Sequence, residues 1–438
     1  MQISKKRITG KFAAFIVIFC LLQGLLAFVA VPGQTLTRIM MHDFYSQDEI
    51  DLVFLGASRV YRSIIPTKLD SALGTKSFNL SSGTQNMVDS YYLLKDLFKK
   101  HSPELVFIDV NWRRFGEKDP VGTMLPFIHM PLSMNKLDYL INAFIPHNYL
   151  GGLFPGLMYP DALLSSDILK NPKIKLSSDY RNYIYNYPDT VGRYIDKGYT
   201  ANYNPMKPGN LGQPNVPVWE PDVFDEESIL YFQKIVDLCL ENSAQPIAFS
   251  PPVPAATLAA TGDYGACLEA VTDIVSAANI DFANFDLVRP EFFDARERYF
   301  FDAVHMSEDG AEAFTSVLAA FIADYTAGLA DMDKYLFDTY AELQKATSRV
   351  LCVWLEREEA SSGFMAHSYT GAGRQAEFEF LFKRETDSDF TVLREYGLDP
   401  LLPLPLPGAG NFVIRVNARA QGSPKEYEQY FEMTYSQE

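Results

Sequence analysis

Cysteine is scarce in this chain: Cys20, Cys239, Cys267 and Cys352 are spread over 438 residues with no C-x-x-C spacing. That excludes a zinc knuckle and a disulfide framework, and leaves at most a single Cys239–Cys267 bridge open. Basic residues are also in deficit. The net charge of -17 removes the cationic surface that nucleic-acid binding requires. Histidine is limited to six positions, so few imidazoles are available as a general base. Long apolar runs are scarce too, with one at the N-terminus and no second of comparable length. What remains is an ordinary globular composition, 47% hydrophobic and 21% charged, in a chain long enough for two or three domains.

The one long run covers Phe12 to Val31 and is preceded by Lys5, Lys6, Arg7 and Lys11. As a helix rising about 1.5 Å per residue, it crosses a hydrocarbon core of about 30 Å. Cations before it and none directly after it place residues 1–35 as a cytoplasmic tail and single-pass anchor in the lipid bilayer, with the bulk of the chain extracytoplasmic. A signal sequence cleaved near Val29-Ala30 is the alternative. Signal cores usually run only about 7–15 residues, which favours a retained anchor.

From Asp51 onward, short apolar runs alternate with helical periodicity. Strands are expected at Leu52–Leu55, Ser77–Leu80, Glu104–Asp109, Pro246–Phe249 and Ile280–Leu287. Met87, Tyr91, Leu94 and Phe98 form one helical stripe, and Ile229 to Cys239 forms another. Tyr264–Ala278 and Glu308–Tyr325 read as further helices. This alternation over residues 36–325 predicts an α/β domain with a parallel sheet covered on both faces. Residues 112–225, rich in Pro, Tyr, Asn and Gly, interrupt it; the insertion is either a cap over the strand ends or a packed excursion. Residues 326–347 suggest a helical linker. Period-two patterns at Phe378–Phe382, Phe412–Val416 and Gln429–Tyr435 predict antiparallel strands in a β-sandwich over residues 348–438.

The chemistry is suggested by Gly56-Ala57-Ser58 at the end of the first strand. Ligands of parallel sheets gather at the carboxyl ends of strands, which is where Ser58 falls. A serine becomes a nucleophile when a base takes its proton and an acceptor holds that base in the right tautomer. Only His305 has a carboxylate at a suggestive spacing, Asp302, just before the last helix with Ser307 as its expected N-cap. Arg59 and Arg62 could meet an anionic substrate, although two cations near a helix start are more often solvated.

A serine after the first strand and Asp-x-x-His before the last helix resemble the SGNH (GDSL-like) hydrolase superfamily. The resemblance implies a flavodoxin-like three-layer α/β/α sandwich, with Ser58 as nucleophile, His305 as general base and Asp302 as its orienter. It also implies an oxyanion hole formed by the backbone N–H of Ser58, by Gly83 and by Asn111. Two departures stand out: Ala57 replaces the usual Asp, and the Gly-x-Asn-Asp block is absent around Asn111. The anchored layout is similar to the D-alanine transfer protein of teichoic-acid modification and to alginate O-acetylation proteins. That implies an esterase or acyltransferase working on acylated cell-envelope polysaccharide beside a membrane-bound O-acyltransferase. No metal or cofactor is called for, because serine, imidazole and carboxylate suffice for acyl transfer. The alternative is a non-catalytic glycan-binding protein on the same scaffold. Pro403 to Gly408 and the strand after it resemble Ig-like sandwiches of the triple-tyrosine type.

Overall fold

The computed structural model describes residues 5–116, 124–144, 151, 154–184, 192–206, 212–329, 331–358 and 363–437. Part of the expected insertion therefore lies outside the described residues. At the N-terminus a helix covers Lys5–Ala30, and its Gly10–Ala30 portion is long and apolar enough to cross a membrane. A second helix, Leu36–Ser46, follows at once and buries Met40, Met41 and Phe44 in the body.

The central sheet begins with β1 (Leu52–Gly56), β2 (Ser77–Ser81) and β3 (Leu105–Asp109). A short hairpin of β4 (Arg193–Tyr194) and β5 (Thr200–Ala201) falls in the insertion. The sheet resumes with β6 (Gln245–Ser250) and β7 (Asp281–Asn284). All five strands pair in parallel in the order β2-β1-β3-β6-β7, with Leu55 opposite both Leu80 and Ile108. This is the flavodoxin-like order, and the sheet has a switch point beside β1, the strand that leads into Ser58.

The strands read as unbroken apolar runs because both faces are covered. Val53, Leu55, Val106 and Ile108 pack under the helices Met87–Leu97 and Glu226–Glu241. Leu52, Phe54, Leu105 and Phe107 face the opposite layer, where Phe314, Leu318 and Phe321 of Glu308–Thr326 close the core. Three layers result.

The fifth expected strand is shorter than Ile280–Leu287. It stops at Asn284, and Phe285–Leu287 turns as a 3-10 helix that carries Asp286 under the site. The Cys239–Cys267 bridge left open by the spacing is absent: both thiols are free and buried, and burial pushes each up to about 12.

Short helices Met332–Tyr335 and Tyr340–Ala346 lead to the C-terminal module. It opens with β8 (Val350–Glu358), β9 (Gly363–Thr370), β10 (Ala376–Arg384) and β11 (Thr391–Gly397). It ends with β12 (Leu401–Pro403), β13 (Gly410–Ala420) and β14 (Gln429–Gln437). The order β11-β10-β13-β14 makes one antiparallel sheet and β12-β9-β8 the other. Val353, Phe364, Phe380, Phe412 and Ile414 share the core between them. This is a small all-β sandwich. It rests on the α/β body through Leu351, Cys352 and Trp354, which pack against Ala256 and Ala303. Ala256 belongs to the helix Ala255–Ala260, and Ala303 to the loop that carries His305.

Candidate active site

Ser58 opens a short helix, Ser58–Ser63, directly after β1. The chain can turn there only because residue 56 is glycine. A Cβ at Gly56 would lie 2.4 Å from Val60 Cγ2 and 2.7 Å from Asp109 Cβ. Close approach between β1, its helix and β3 thus fixes where the serine hydroxyl emerges.

The other half of the site comes from the loop before the helix Glu308–Thr326. Ser307 caps that helix by accepting from the Gly310 N–H at 3.4 Å. Asp302 ties the loop together, since one of its oxygens accepts from the N–H groups of Val304 and His305, both at 2.9 Å. Its other oxygen lies 2.8 Å from His305 Nδ1, and His305 Nε2 lies 2.7 Å from Ser58 Oγ. An ionised carboxylate only accepts hydrogen bonds, so Nδ1 carries the proton and Nε2 is free to accept from the serine hydroxyl. The three residues, separated by nearly 250 positions, form one continuous hydrogen-bonded chain.

Burial pushes the Asp302 carboxyl up. The bond from His305, its charge and the two backbone N–H groups outweigh that and hold the group below the usual aspartate value. A carboxylate depressed in the folded state adds stability above its unfolded pKa, about 4, and loses it as pH falls through the folded value. Unfolding midpoints of the natural chain and Asp302→Asn should therefore differ at neutral pH and converge as the pH drops below about 4. A gap that persists unchanged in acid would contradict this linkage.

A cavity of about 250 Å³ opens at Ser58 and His305, with Asn111, Trp112, Arg114 and Tyr264 in its wall. Asn111 reaches it, but its amide Nδ2 donates to both oxygens of Asp109 at 2.9 Å. Gly83 does not line the cavity; its neighbour Thr84 does, with a positive φ of 51°. Beside this pocket, a more open depression of about 690 Å³ is lined by Arg113, Asn204, Gln213, Asn215, Phe301 and Asp302 among others.

Arg59 is mostly enclosed and paired, with a small part facing the cavity. Its Nη2 donates to Asp286 Oδ1 at 2.9 Å, to Ser250 Oγ at 3.3 Å and to the Pro251 carbonyl. Asp286 also accepts from Ser250 at 3.0 Å, Tyr264 at 3.2 Å and the Val253 N–H at 3.1 Å. Burial raises the Asp286 carboxyl, and the Arg59 charge and the Ser250 and Tyr264 hydroxyls only partly offset it. Arg62 is buried as well. Sequence reasoning missed this buried floor. The only available signal was an aspartate just past an apolar strand, which is common.

A serine held by an imidazole and a carboxylate at a strand end of a three-layer α/β sheet is set up chemically to lose its proton and attack an electrophilic carbon. Neither a family model nor a curated protein matches the chain. Solved structures similar to it include a GDSL-like lipase from Bacteroides thetaiotaomicron, at 10% identity over 64% of this chain and 89% of that one, TM-score 0.27. Another, from Streptococcus pneumonia and provisionally described as a platelet activating factor, is 12% identical over 70% and 98%, TM-score 0.32. A third, provisionally described as an acylhydrolase of Bacteroides fragilis, is 11% identical over 64% and 88%, TM-score 0.27. Likeness at this level bears on neither chemistry nor substrate, so the reading of the site rests on the distances above.

Proposed function

We propose that this chain is a membrane-anchored, extracytoplasmic serine O-acyl esterase or O-acyltransferase of the SGNH type, acting on cell-envelope polysaccharide. The observation that carries the proposal is the unbroken Ser58–His305–Asp302 relay. Ser58 Oγ attacks the acyl carbon and its proton passes to His305 Nε2. Imidazolium then returns that proton to the departing alkoxide, leaving an acyl-serine. In the second half-reaction His305 takes a proton from water or from a sugar hydroxyl, which attacks the same carbon and releases Ser58. Hydrolysis and transfer differ only in that acceptor.

The Ser58 backbone N–H, at a helix start with no side-chain cap bond, is the first oxyanion donor in this reading. Asn111 joins it when an amide hydrogen leaves Asp109, and Gly83 joins it only if the loop that presents Thr84 shifts toward Ser58. The open depression beside the pocket, with amide side chains beside Phe301, suits an extended, partly hydrated polymer better than a buried acyl chain. The sandwich, taken as an Ig-like module, braces the helix and loop that flank the pocket. A membrane-bound O-acyltransferase would be a partner on the same side of the bilayer.

The test is acyl trapping. The full chain is mixed with an O-acetylated glycan, acid-quenched and digested, and the Ser58 peptide is weighed by mass spectrometry. An acetyl increment on that peptide, lost in His305→Ala, is expected. Tight glycan binding with no increment at any time point would favour the non-catalytic reading, to which the Asp109-engaged amide of Asn111 already lends some support.

A further inference from the structure

Part of the long insertion does not approach the active site. It packs against the N-terminal helix, and the contacts change character along that helix. At its last residues, Asn171 Nδ2 donates to the carbonyls of Val29 and Ala30 at 3.1 and 3.2 Å. Asn171 also accepts from the Gly33 N–H at 3.3 Å. Lys175 Nζ donates to the carbonyls of Ala27 and Phe28 at 3.0 and 2.8 Å, so its cation sits on the negative end of the helix dipole. One turn deeper, Gly156 lies so close that a Cβ would fall 2.6 Å from Leu26 Cγ. Deeper still, Phe154 meets Phe19 edge-on with ring centroids 5.7 Å apart. Phe19 is eleven residues before Ala30, or about 16 Å along the helix at 1.5 Å per residue. If Gly10–Ala30 crosses a bilayer, Phe19 lies near mid-depth and Phe154 lies beside it.

The outward side of the same segment exposes large apolar side chains among polar ones. Leu164 is 89% exposed, Leu169 77% and Leu176 69%. Three leucines this exposed within 13 residues, on a segment packed against the apolar N-terminal helix, are more than scattered surface residues require. Lys170 and Lys173 are exposed on the same helix, Asp167–Lys175, Lys170 within 3.2 Å of Asp167 Oδ1. Leucines beside lysines are what a helix lying in a lipid interface shows, with stems in the acyl region and ammonium groups at the phosphates. The sequence runs without a charged residue from Tyr139 to Pro160, although residues 145–150 and 152–153 of that stretch lie outside the described residues.

We infer that residues 154–176 form a second membrane-contacting element, a collar seated in the outer lipid interface around the exit of the anchor. Phe154 and Leu157 enter the acyl-chain region. Leu164, Leu169 and Leu176 lie at its boundary with the headgroups. Lipid is the occupant because the contacts run from polar at the end of the span to apolar at its middle, in step with bilayer polarity. The collar fixes the height and tilt of the body, which a single helix alone would leave free. The inference rests on the anchoring of Gly10–Ala30, and its test separates the two.

The full chain carries its own control, since Cys20 is exposed within the anchor and the other three cysteines are buried. An environment-sensitive fluorophore is attached at Cys20, or at Leu164→Cys, Leu169→Cys or Leu398→Cys in a Cys20→Ala background. Each protein is reconstituted into vesicles of phosphatidylcholine and phosphatidylglycerol, with or without lipids bearing a quencher on the acyl chain. The labels at 164 and 169 should be blue-shifted and lose most of their fluorescence to the quencher, as the Cys20 label does. The label at 398, on an exposed residue of the sandwich module, should be unaffected. Quenching at Cys20 with none at 164 and 169 would overturn the collar and leave the patch to a protein partner. Absence of quenching at Cys20 would overturn the anchor and the collar together.

Discussion

Ser58→Ala should lower turnover of an activated ester by about 10⁴-fold or more, with little change in thermal stability, because it deletes one partly exposed oxygen. His305→Ala should cost about as much, and the double variant scarcely more, since residues that act as one relay are not additive. The reasoning is geometric. With Nε2 at 2.7 Å from Oγ and Nδ1 at 2.8 Å from Asp302, the proton route is complete before substrate arrives. Asp302→Asn should also be severely impaired, because an amide can offer Nδ1 a donor and favour the wrong tautomer. Steady-state kinetics on a chromogenic acetate ester is the check. A Ser58→Ala protein that keeps a tenth or more of the natural rate, on the order of 1 kcal/mol of barrier, would refute the relay.

The largest stability effect is expected at Asp286. Its removal as Asp286→Ala leaves the mostly enclosed Arg59 guanidinium against the Pro251 carbonyl with no carboxylate, and arginine cannot shed its proton to relieve the cost. Breaking a buried pair from one side costs about 3–5 kcal/mol. Arg59→Met should cost less, because the stranded Asp286 carboxyl is already raised by burial and can take up a proton. The pair Arg59→Met with Asp286→Leu should recover much of the loss. Denaturant unfolding followed by the emission of Trp112 and Trp219 measures all three. Equal, small losses in both single variants would show that the pair is effectively solvated.

The sheet was legible because burial on both faces leaves its mark in composition. Leu52 to Leu55 and Leu105 to Ile108 are apolar at every position, as strands between two helical layers must be. The relay was legible through position: a serine ending the first strand and an Asp-x-x-His leading into the last helix. Less could be read where two surfaces share one element. β8 shows no alternation because Val350, Val353 and Leu355 face the sandwich core, while Leu351, Cys352 and Trp354 face the α/β body. The Arg59–Asp286 pair joins residues 227 apart, and nothing local marks that arginine as enclosed and paired. The insertion lacks periodicity because it serves two sites. Trp112, Val216 and Pro217 reach the pocket, whereas Phe154, Asn171 and Lys175 grip the N-terminal helix. A cap over the strand ends describes only the first group.

Labelling by a serine-reactive fluorophosphonate tests the central claim most directly. The full chain, Ser58→Ala and His305→Ala are treated in parallel, and the modified residue is located by peptide mass spectrometry. The relay predicts one adduct, on Ser58, formed quickly in the natural chain, absent in Ser58→Ala and strongly slowed in His305→Ala. Equal labelling of the three proteins, or an adduct on another serine, would contradict it.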